Sequence, residues 1–581
     1  MPAFPFHQFC LSGAAILVVA GSTLAQEAPS PADASPWGVA LGSEWSGEYP
    51  KYDPLLSAAG VGWLRYFPEW QGIQPQQDQW NWTYTDDFVA KAREQKLHVA
   101  GGFWYLANWV SADGGSRKFP LKDMQAWRDY VSAATARYKA DIQYWEVWNE
   151  FPSFAKNGSP KAYAELVKEA DLAARKVNPD VKIGLGVGNF DIGYLDATIK
   201  AGAAGHFDYV CVHPYENIDA AMEGGEMGFL SLTASLRKML KENKQKADLP
   251  LWITEIGLQT SIAPNPAKDL FQADAVTKAY VLSLAQGFEK VFWFEARGPA
   301  YGAGTDHGLI RKDWSPRPAL AAYQAMVQSL GKAPRYAGWL DLGPGGYGFV
   351  FLNGDQPVLA AWAPVGATPK VKFDSDVQVL SSSLKRGTIA AGSELRLDRT
   401  TLFIAGLPAA LVEQAKANAD KPFPWGKDYA TATEASIKIG AKDLEDGIKM
   451  TRQDTSELVQ GLDWTARVSK KAKGGEGNYM YFRVDPTFAP FGTKDLEITL
   501  VARRHSPDKG ASFSLTYEST TGYKSTKDRF ELLAGSEWTE KTWRVSDANF
   551  VGAWGWNIRT DASGSPGEFQ LREVRIKKVG P

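Results

Sequence analysis

The feature that most limits how this chain can fold is a regular alternation of short apolar runs with amphipathic stretches over residues 37–330. Runs rich in aromatic and β-branched residues occur at 37–41, 62–67, 97–105, 142–150, 182–187, 207–215, 250–257 and 291–296. Segments with apolar residues at helical spacing lie between most of them, among them 86–95, 123–138, 160–177, 230–246 and 272–286. Apolar runs bounded by turn signals are buried strands, and strands separated by helices pair in parallel through right-handed crossovers. Eight such units predict an α/β fold, a (β/α)8 TIM barrel. A doubly wound sheet is the alternative, but no Gly-rich phosphate loop follows the first run.

At 581 residues the chain exceeds what one hydrophobic core can organise, so further domains are expected. Beyond the barrel at 36–332, short alternating strands with Gly-rich turns predict a small β-sandwich at 333–408. An Ala-rich helical linker at 409–424 leads to a second β-sandwich at 425–581, with exposed-looking aromatics Trp425, Trp554 and Trp556, whose composition and strand rhythm resemble those of carbohydrate-binding domains; a structural or interdomain role is the alternative. A formal net charge of -2, from 64 basic and 66 acidic residues, leaves no basic footprint for nucleic acid.

The apolar stretch 10–25, ending in Thr23-Leu24-Ala25, predicts a signal peptide at 1–25, a flexible leader at 26–35, and a secreted or periplasmic protein. Met1 to Gln8 lacks the Lys or Arg usual in such a segment, and the apolar run is too short to span a membrane. Cys211 is then the sole cysteine of the mature chain, so an intramolecular disulfide is excluded, and its apolar run marks it as a small buried hydrophobe. A monomer is expected.

Polar groups gather where the strands end. Tyr144-Trp145-Glu146-Val147-Trp148-Asn149-Glu150 carries Asn149 and Glu150 to the tip of the fourth run, and Leu251-Trp252-Ile253-Thr254-Glu255 does the same with Glu255 on the seventh. A carboxylate at the end of an apolar strand is costly unless it has a partner or a task. In a barrel both would stand at the C-terminal mouth, where function resides. Arg65 on the second run, His213 and Tyr215 on the sixth, and Trp293 and Glu295 on the eighth fall at the same end. Two carboxylates across a barrel mouth are what glycoside hydrolysis needs: one donates a proton to the leaving oxygen, the other attacks the anomeric carbon or activates water. Trp148, Phe151 and Phe154 around Glu150 suit a carboxyl kept protonated, and Arg65 is the cation that would keep Glu255 ionised. Six histidines without ligand-like spacing give no support for a metal site, and no cofactor is implied.

The constellation resembles clan A of the glycoside hydrolases, (β/α)8 retaining enzymes, and within it the family 39-like and family 5-like members. The matching segments run from Arg65 and Trp70-Gln71-Gly72-Ile73-Gln74-Pro75 through Trp145 to Glu150. They continue with Val212-His213-Pro214-Tyr215, Trp252 to Gly257, Gly308-Leu309-Ile310 and Arg317 to Tyr323. The resemblance implies Glu150 as general acid/base, Glu255 as nucleophile, and Asn149 as partner of the sugar 2-hydroxyl. It implies Arg65 and Tyr215 on the nucleophile, His213 beside the acid/base and Trp293 as the floor of the cleavage subsite. Glu146 would be a buried structural partner, Glu295 either a substrate contact or a local partner of Arg297, and Thr305-Asp306-His307 a loop. Many clan members carry a His at the end of strand 3, where this chain has Phe103-Trp104-Tyr105, so Trp104 is the candidate for stacking on sugar there. The expected function is hydrolysis of a β-linked polysaccharide or oligosaccharide. The alternatives are an inactive glycan-binding barrel, or a transglycosylase or lyase using the same pocket. Glu223-Gly224-Gly225-Glu226-Met227-Gly228 is a candidate wall of the cleft.

Overall fold

A computed structural model of the chain describes residues 34–42, 48–112, 114–300, 304–364, 366–452, 455–469 and 478–580. The expected signal peptide and most of the leader lie outside them. The strands β1 (Trp37–Ala40), β2 (Trp63–Arg65), β3 (His98–Phe103), β4 (Tyr144–Val147), β5 (Lys182–Gly186), β6 (Tyr209–Val212), β7 (Leu251–Ile256) and β8 (Lys290–Phe294) form a closed parallel barrel in chain order. β8 closes on β1 from Trp37 opposite Val291 to Ala40 opposite Phe294. The strands are buried on both faces because one face meets the helices and the other fills the lumen. The lumen is packed with Trp63, Tyr209, Cys211, Trp252 and Phe292, the Tyr209 and Trp252 rings lying 4.3 Å apart. Burial pushes the Cys211 thiol up, which suits an inert packing group.

The surrounding helices start where their sequences provide caps. Ser159 accepts from the Ala162 N–H and Pro160 follows at the first turn of Pro160–Val177; its Tyr163, Leu166, Val167, Ala170 and Ala174 face the strands. The Tyr163 hydroxyl lies between the carbonyls of Val147, at 2.8 Å, and Gly186, at 2.7 Å, and so ties the ends of β4 and β5 together.

Residues 335–405 form one six-stranded antiparallel sheet, with a two-stranded ribbon beside it. Tyr347, Phe349, Phe351 and Trp362 pack its inner face against the barrel core. Its other face is covered by the helix Ala409–Asn418 through Val412 and Ala415. Trp425 is not a free aromatic: it packs on Phe349, 5.1 Å between ring centres, and donates to the Gly346 carbonyl. The C-terminal domain is one antiparallel sheet with a separate core, its two halves joined where Ser519 pairs with Ala548. One holds Lys494–Arg504, Thr539–Ala548 and Phe569–Lys578, the other Ile448–Thr451, Tyr479–Val484, Ser512–Ser519 and Ile558–Asp561.

The segment 223–228 is a junction, not a cleft wall. Glu226 turns inward, fully buried, to the equally buried Lys278 at 3.3 Å and the Trp362 indole at 3.4 Å, while the Gly228 carbonyl accepts from Arg483 of the C-terminal domain. Each buried charge is compensated by the other, and Lys278 lies over the Trp362 ring, so the segment is tied into the domain seam.

Candidate active site

β4 stops at Val147, three residues short of the carboxylate it was expected to carry, and β6 stops at Val212, before His213 and Tyr215. The polar residues are therefore delivered by turns. Trp148 and Glu150 both adopt left-handed backbone, φ 66° and 51°, at a cost of about 1–3 kcal/mol each. The turn is held by the Trp148 N–H on the Phe103 carbonyl, and it brings the Glu150 Cβ to within 3.0 Å of where a side chain at Gly188 would begin. A Cβ at 188 would press on the Glu150 side chain, so this close approach suits glycine.

Arg65, 5 % exposed, organises the floor. Its guanidinium donates to Glu146 at 2.7 Å, to Glu255 at 2.6 Å and to the Asn149 carbonyl oxygen at 2.8 Å. Glu146 is the buried partner expected of it. Tyr215 donates to the other Glu255 oxygen at 2.8 Å. Burial works to raise the Glu255 carboxyl, but the charges of His213 and Arg65 and the hydrogen bonds from Tyr215 and Arg65 outweigh it, so it sits below the usual carboxylate range.

His213, fully buried, joins the two carboxylates. Its Nδ1 lies 3.0 Å from Glu150 and 3.7 Å from Glu255, and its Nε2 lies 3.0 Å from the Thr254 hydroxyl. Thr254 donates onward to Glu146 at 3.4 Å, so it accepts from His213 Nε2, which leaves Nδ1 to share a proton with Glu150. Burial pulls the imidazole down, yet Glu255 and the Glu150 hydrogen bond raise it above its ordinary value overall.

Asn149 is held at both ends of its amide, by Arg65 and by the Tyr105 hydroxyl, to which it donates at 3.1 Å. Each end keeps one hydrogen-bonding position for a ligand. Tyr105 had not been singled out; only its place two residues beyond β3 signals it. Trp104 is buried instead. Its N–H donates to the Phe67 carbonyl and its ring lies 4.9 Å from the Arg65 guanidinium, so it backs the arginine rather than presenting a face to sugar.

Trp293 of β8 and Glu295, the residue after the strand, both turn away from the site. Trp293 points outward: it is fully buried in the core between barrel and helices and donates to the His307 carbonyl. The inward positions are Phe292 and Phe294, and half-buried Phe294 packs at 6.4 Å on Tyr215 and 5.7 Å on His307 at the site. Glu295 is fully buried and accepts from the Ala300 N–H at 3.0 Å, while Arg297 pairs with Glu48 at 3.0 Å. Asp306 is buried against Arg317 at 2.6 Å, which anchors the loop that brings in His307.

Glu150, His213 and Glu255 each place one ligand-capable atom within 4.8 Å of the others. That group is the carboxylate pair and its bridging imidazole. Among the described residues, no helix is long and apolar enough to cross a membrane.

Residues 68–189, which hold β3, β4 and Glu150, match the model of glycosyl hydrolase family 10. Part of the barrel is thus similar in sequence to glycoside hydrolases. Two curated relatives match over 86 residues, 14 % of this chain. They are endo-1,4-beta-xylanase A of Fusarium oxysporum f. sp. lycopersici at 31 % identity and endo-1,4-beta-xylanase 1 of Gibberella zeae at 33 %. This chain spans only 25 % and 23 % of their lengths. A family 39 glycoside hydrolase from Bacteroides cellulosilyticus WH2 shares the fold, with a TM-score of 0.53 and 20 % identity over 64 % of this chain and 81 % of that one.

Proposed function

We propose that this chain is a retaining β-glycosidase that cleaves O-glycosidic bonds in a polysaccharide or oligosaccharide by double displacement. The observation that carries the proposal is the closeness of Glu150 and Glu255, oxygens within 4.8 Å. Retaining enzymes hold their carboxyl groups ~5–5.5 Å apart, whereas inverting ones need ~6.5–9.5 Å to admit a water. Glu255, kept ionised by Arg65 and Tyr215, attacks the anomeric carbon as Glu150 gives its proton to the leaving oxygen. Glu150 then takes a proton from water, and that water displaces Glu255. His213, with its Nε2–H on Thr254, turns Nδ1 to Glu150 and so fixes the direction of that carboxyl. The free positions of Asn149 suit a sugar hydroxyl beside the reacting carbon, and Phe294 offers the apolar floor first assigned to Trp293.

β-1,4-Xylan stands first among substrates to try, because both curated relatives are named for it. The apolar segment at 10–25 supports action outside the cytoplasm, and amino-terminal sequencing of the mature protein would then begin at Gln26. The chemistry is tested by azide rescue. Glu255→Ala is expected to lose turnover and, with azide, to yield a glycosyl azide of inverted configuration. Glu150→Ala is expected to keep activity on substrates with activated leaving groups and to yield the retained azide. Full activity of both variants on natural glycan would refute the assignment.

A further inference from the structure

The C-terminal domain meets the barrel beside Glu150. Its loop 551–556 is fastened at two points, and both adjoin residues that flank this carboxylate. The Phe190 N–H donates to the Ala553 carbonyl at 3.2 Å, two residues after Gly188, which touches Glu150. Gly555, at φ 76°, lies against Glu216, the residue after Tyr215; a Cβ at 555 would stand 2.7 Å from that of Glu216. Arg483 secures the same seam by donating to the Gly228 carbonyl at 3.2 Å and, with the Asn217 amide oxygen turned toward it, to Asn217 at 3.0 Å.

The loop is built, not incidental. Buried Glu518 accepts from the Val551, Gly552 and Ala553 N–H groups and from the Asn557 amide, each at 2.8 Å. Four donors on one carboxylate fix the loop's course and so the aim of Trp554 and Trp556. These frame an open cavity of about 300 Å³ with Arg452, Tyr481, Tyr523 and Arg559. Trp554 is 42 % exposed, a large apolar face turned to solvent. Tyr523 donates to the Trp556 carbonyl and its ring lies tilted against that indole, 4.1 Å between ring centres. The Arg452 guanidinium lies 4.9 Å from the Tyr481 ring and donates to the Trp554 carbonyl at 3.2 Å; that of Arg559 lies 5.2 Å from Trp556. An apolar aromatic face with donors of fixed direction at its rim matches a pyranose ring, which has apolar C–H faces and an equator of oxygen acceptors.

We propose that the C-terminal domain completes the cleft, this cavity being a subsite for a pyranose residue on the leaving-group side of the cleaved bond. The side follows from Glu150: the residue that protonates the leaving oxygen stands where the departing chain runs. The inference rests on the glycosidase assignment for the side, but not for the binding. Hydroxyl and carboxylate oxygens would both satisfy the two guanidinium groups, so neutral and uronate-bearing sugars are separate arms of the test.

The experiment uses the full chain carrying Glu255→Gln, to prevent turnover, on a microarray of β-linked oligosaccharides of two to eight residues, neutral and uronate-bearing. Binding is expected to strengthen with chain length, and adding Trp554→Ala is expected to weaken it at least about tenfold, the loss typical of truncating an aromatic anchor. Should that variant fail to fold, exposed Arg452→Gln carries the same expectation. Binding to none of the probes, or binding unchanged by Trp554→Ala, would overturn the subsite. Loss of binding with Trp554→Ala in a protein whose unsubstituted form turns over no glycan would leave the subsite standing and remove the glycosidase assignment.

Discussion

Tyr215→Phe isolates one hydrogen bond of the catalytic pair. The change removes a hydroxyl that donates to Glu255 at 2.8 Å and leaves the ring where it packs on Phe294 and His307. Glu255 keeps Arg65, so the carboxylate loses a donor but not its counter-charge. A hydrogen bond to a charged group contributes about 1.5–3 kcal/mol net. At 1.36 kcal/mol per pKa unit, its loss raises the Glu255 carboxyl by roughly one to two units. The sign follows from the role: the free enzyme needs Glu255 ionised, so kcat/KM falls as pH drops through its pKa. The acid limb of the kcat/KM profile is therefore expected to move to higher pH by that amount, measured on an aryl glycoside of the sugar the enzyme cleaves. An unmoved limb, or one displaced to lower pH, would refute the argument that Tyr215 helps hold the nucleophile ionised.

The buried junction gives a second prediction. Lys278→Met leaves Glu226 without its cation and is expected to lower stability by about 3–5 kcal/mol, whereas Glu226→Met with Lys278→Met recovers most of the loss, as thermal unfolding will show. The site also links stability to pH. Glu255, depressed, contributes above the ordinary carboxylate range and loses that contribution as pH falls; His213, raised, contributes below ~6.5 and loses it as pH rises through its folded value. Glu255→Gln is accordingly expected to flatten the acid side of a Tm-against-pH curve. Replacing Arg65 with Lys keeps the charge but cannot reach Glu146, Glu255 and Asn149 together, so kcat/KM should fall by about tenfold or more while the protein stays folded by circular dichroism.

The barrel was legible because eight apolar runs and their intervening helices each follow a period that local residues enforce. Arg65, Asn149, Glu150, His213, Tyr215 and Glu255 were legible because polar groups at apolar strand ends stand out against their surroundings. Orientation within β8 was not. Phe292, Trp293 and Phe294 are all large and apolar, so no alternation of polarity marks which of them face the lumen, and only the pairing of Ala40 with Phe294 decides it. Glu226 carried no signal either: a glutamate among glycines looks exposed until Lys278 and Trp362, distant in sequence, enclose it. The seating of the loop 551–556 beside Glu150 depends on contacts more than 300 residues apart, which no local pattern records.

The central claim is that Glu150 and Glu255 act as a retaining pair, and the configuration of the first-formed product tests it most directly. Proton NMR recorded during early turnover of a β-linked oligosaccharide is expected to show the β-anomer of the new reducing end first, with the α-anomer growing in later by mutarotation. An α-anomer appearing first would contradict the double-displacement account.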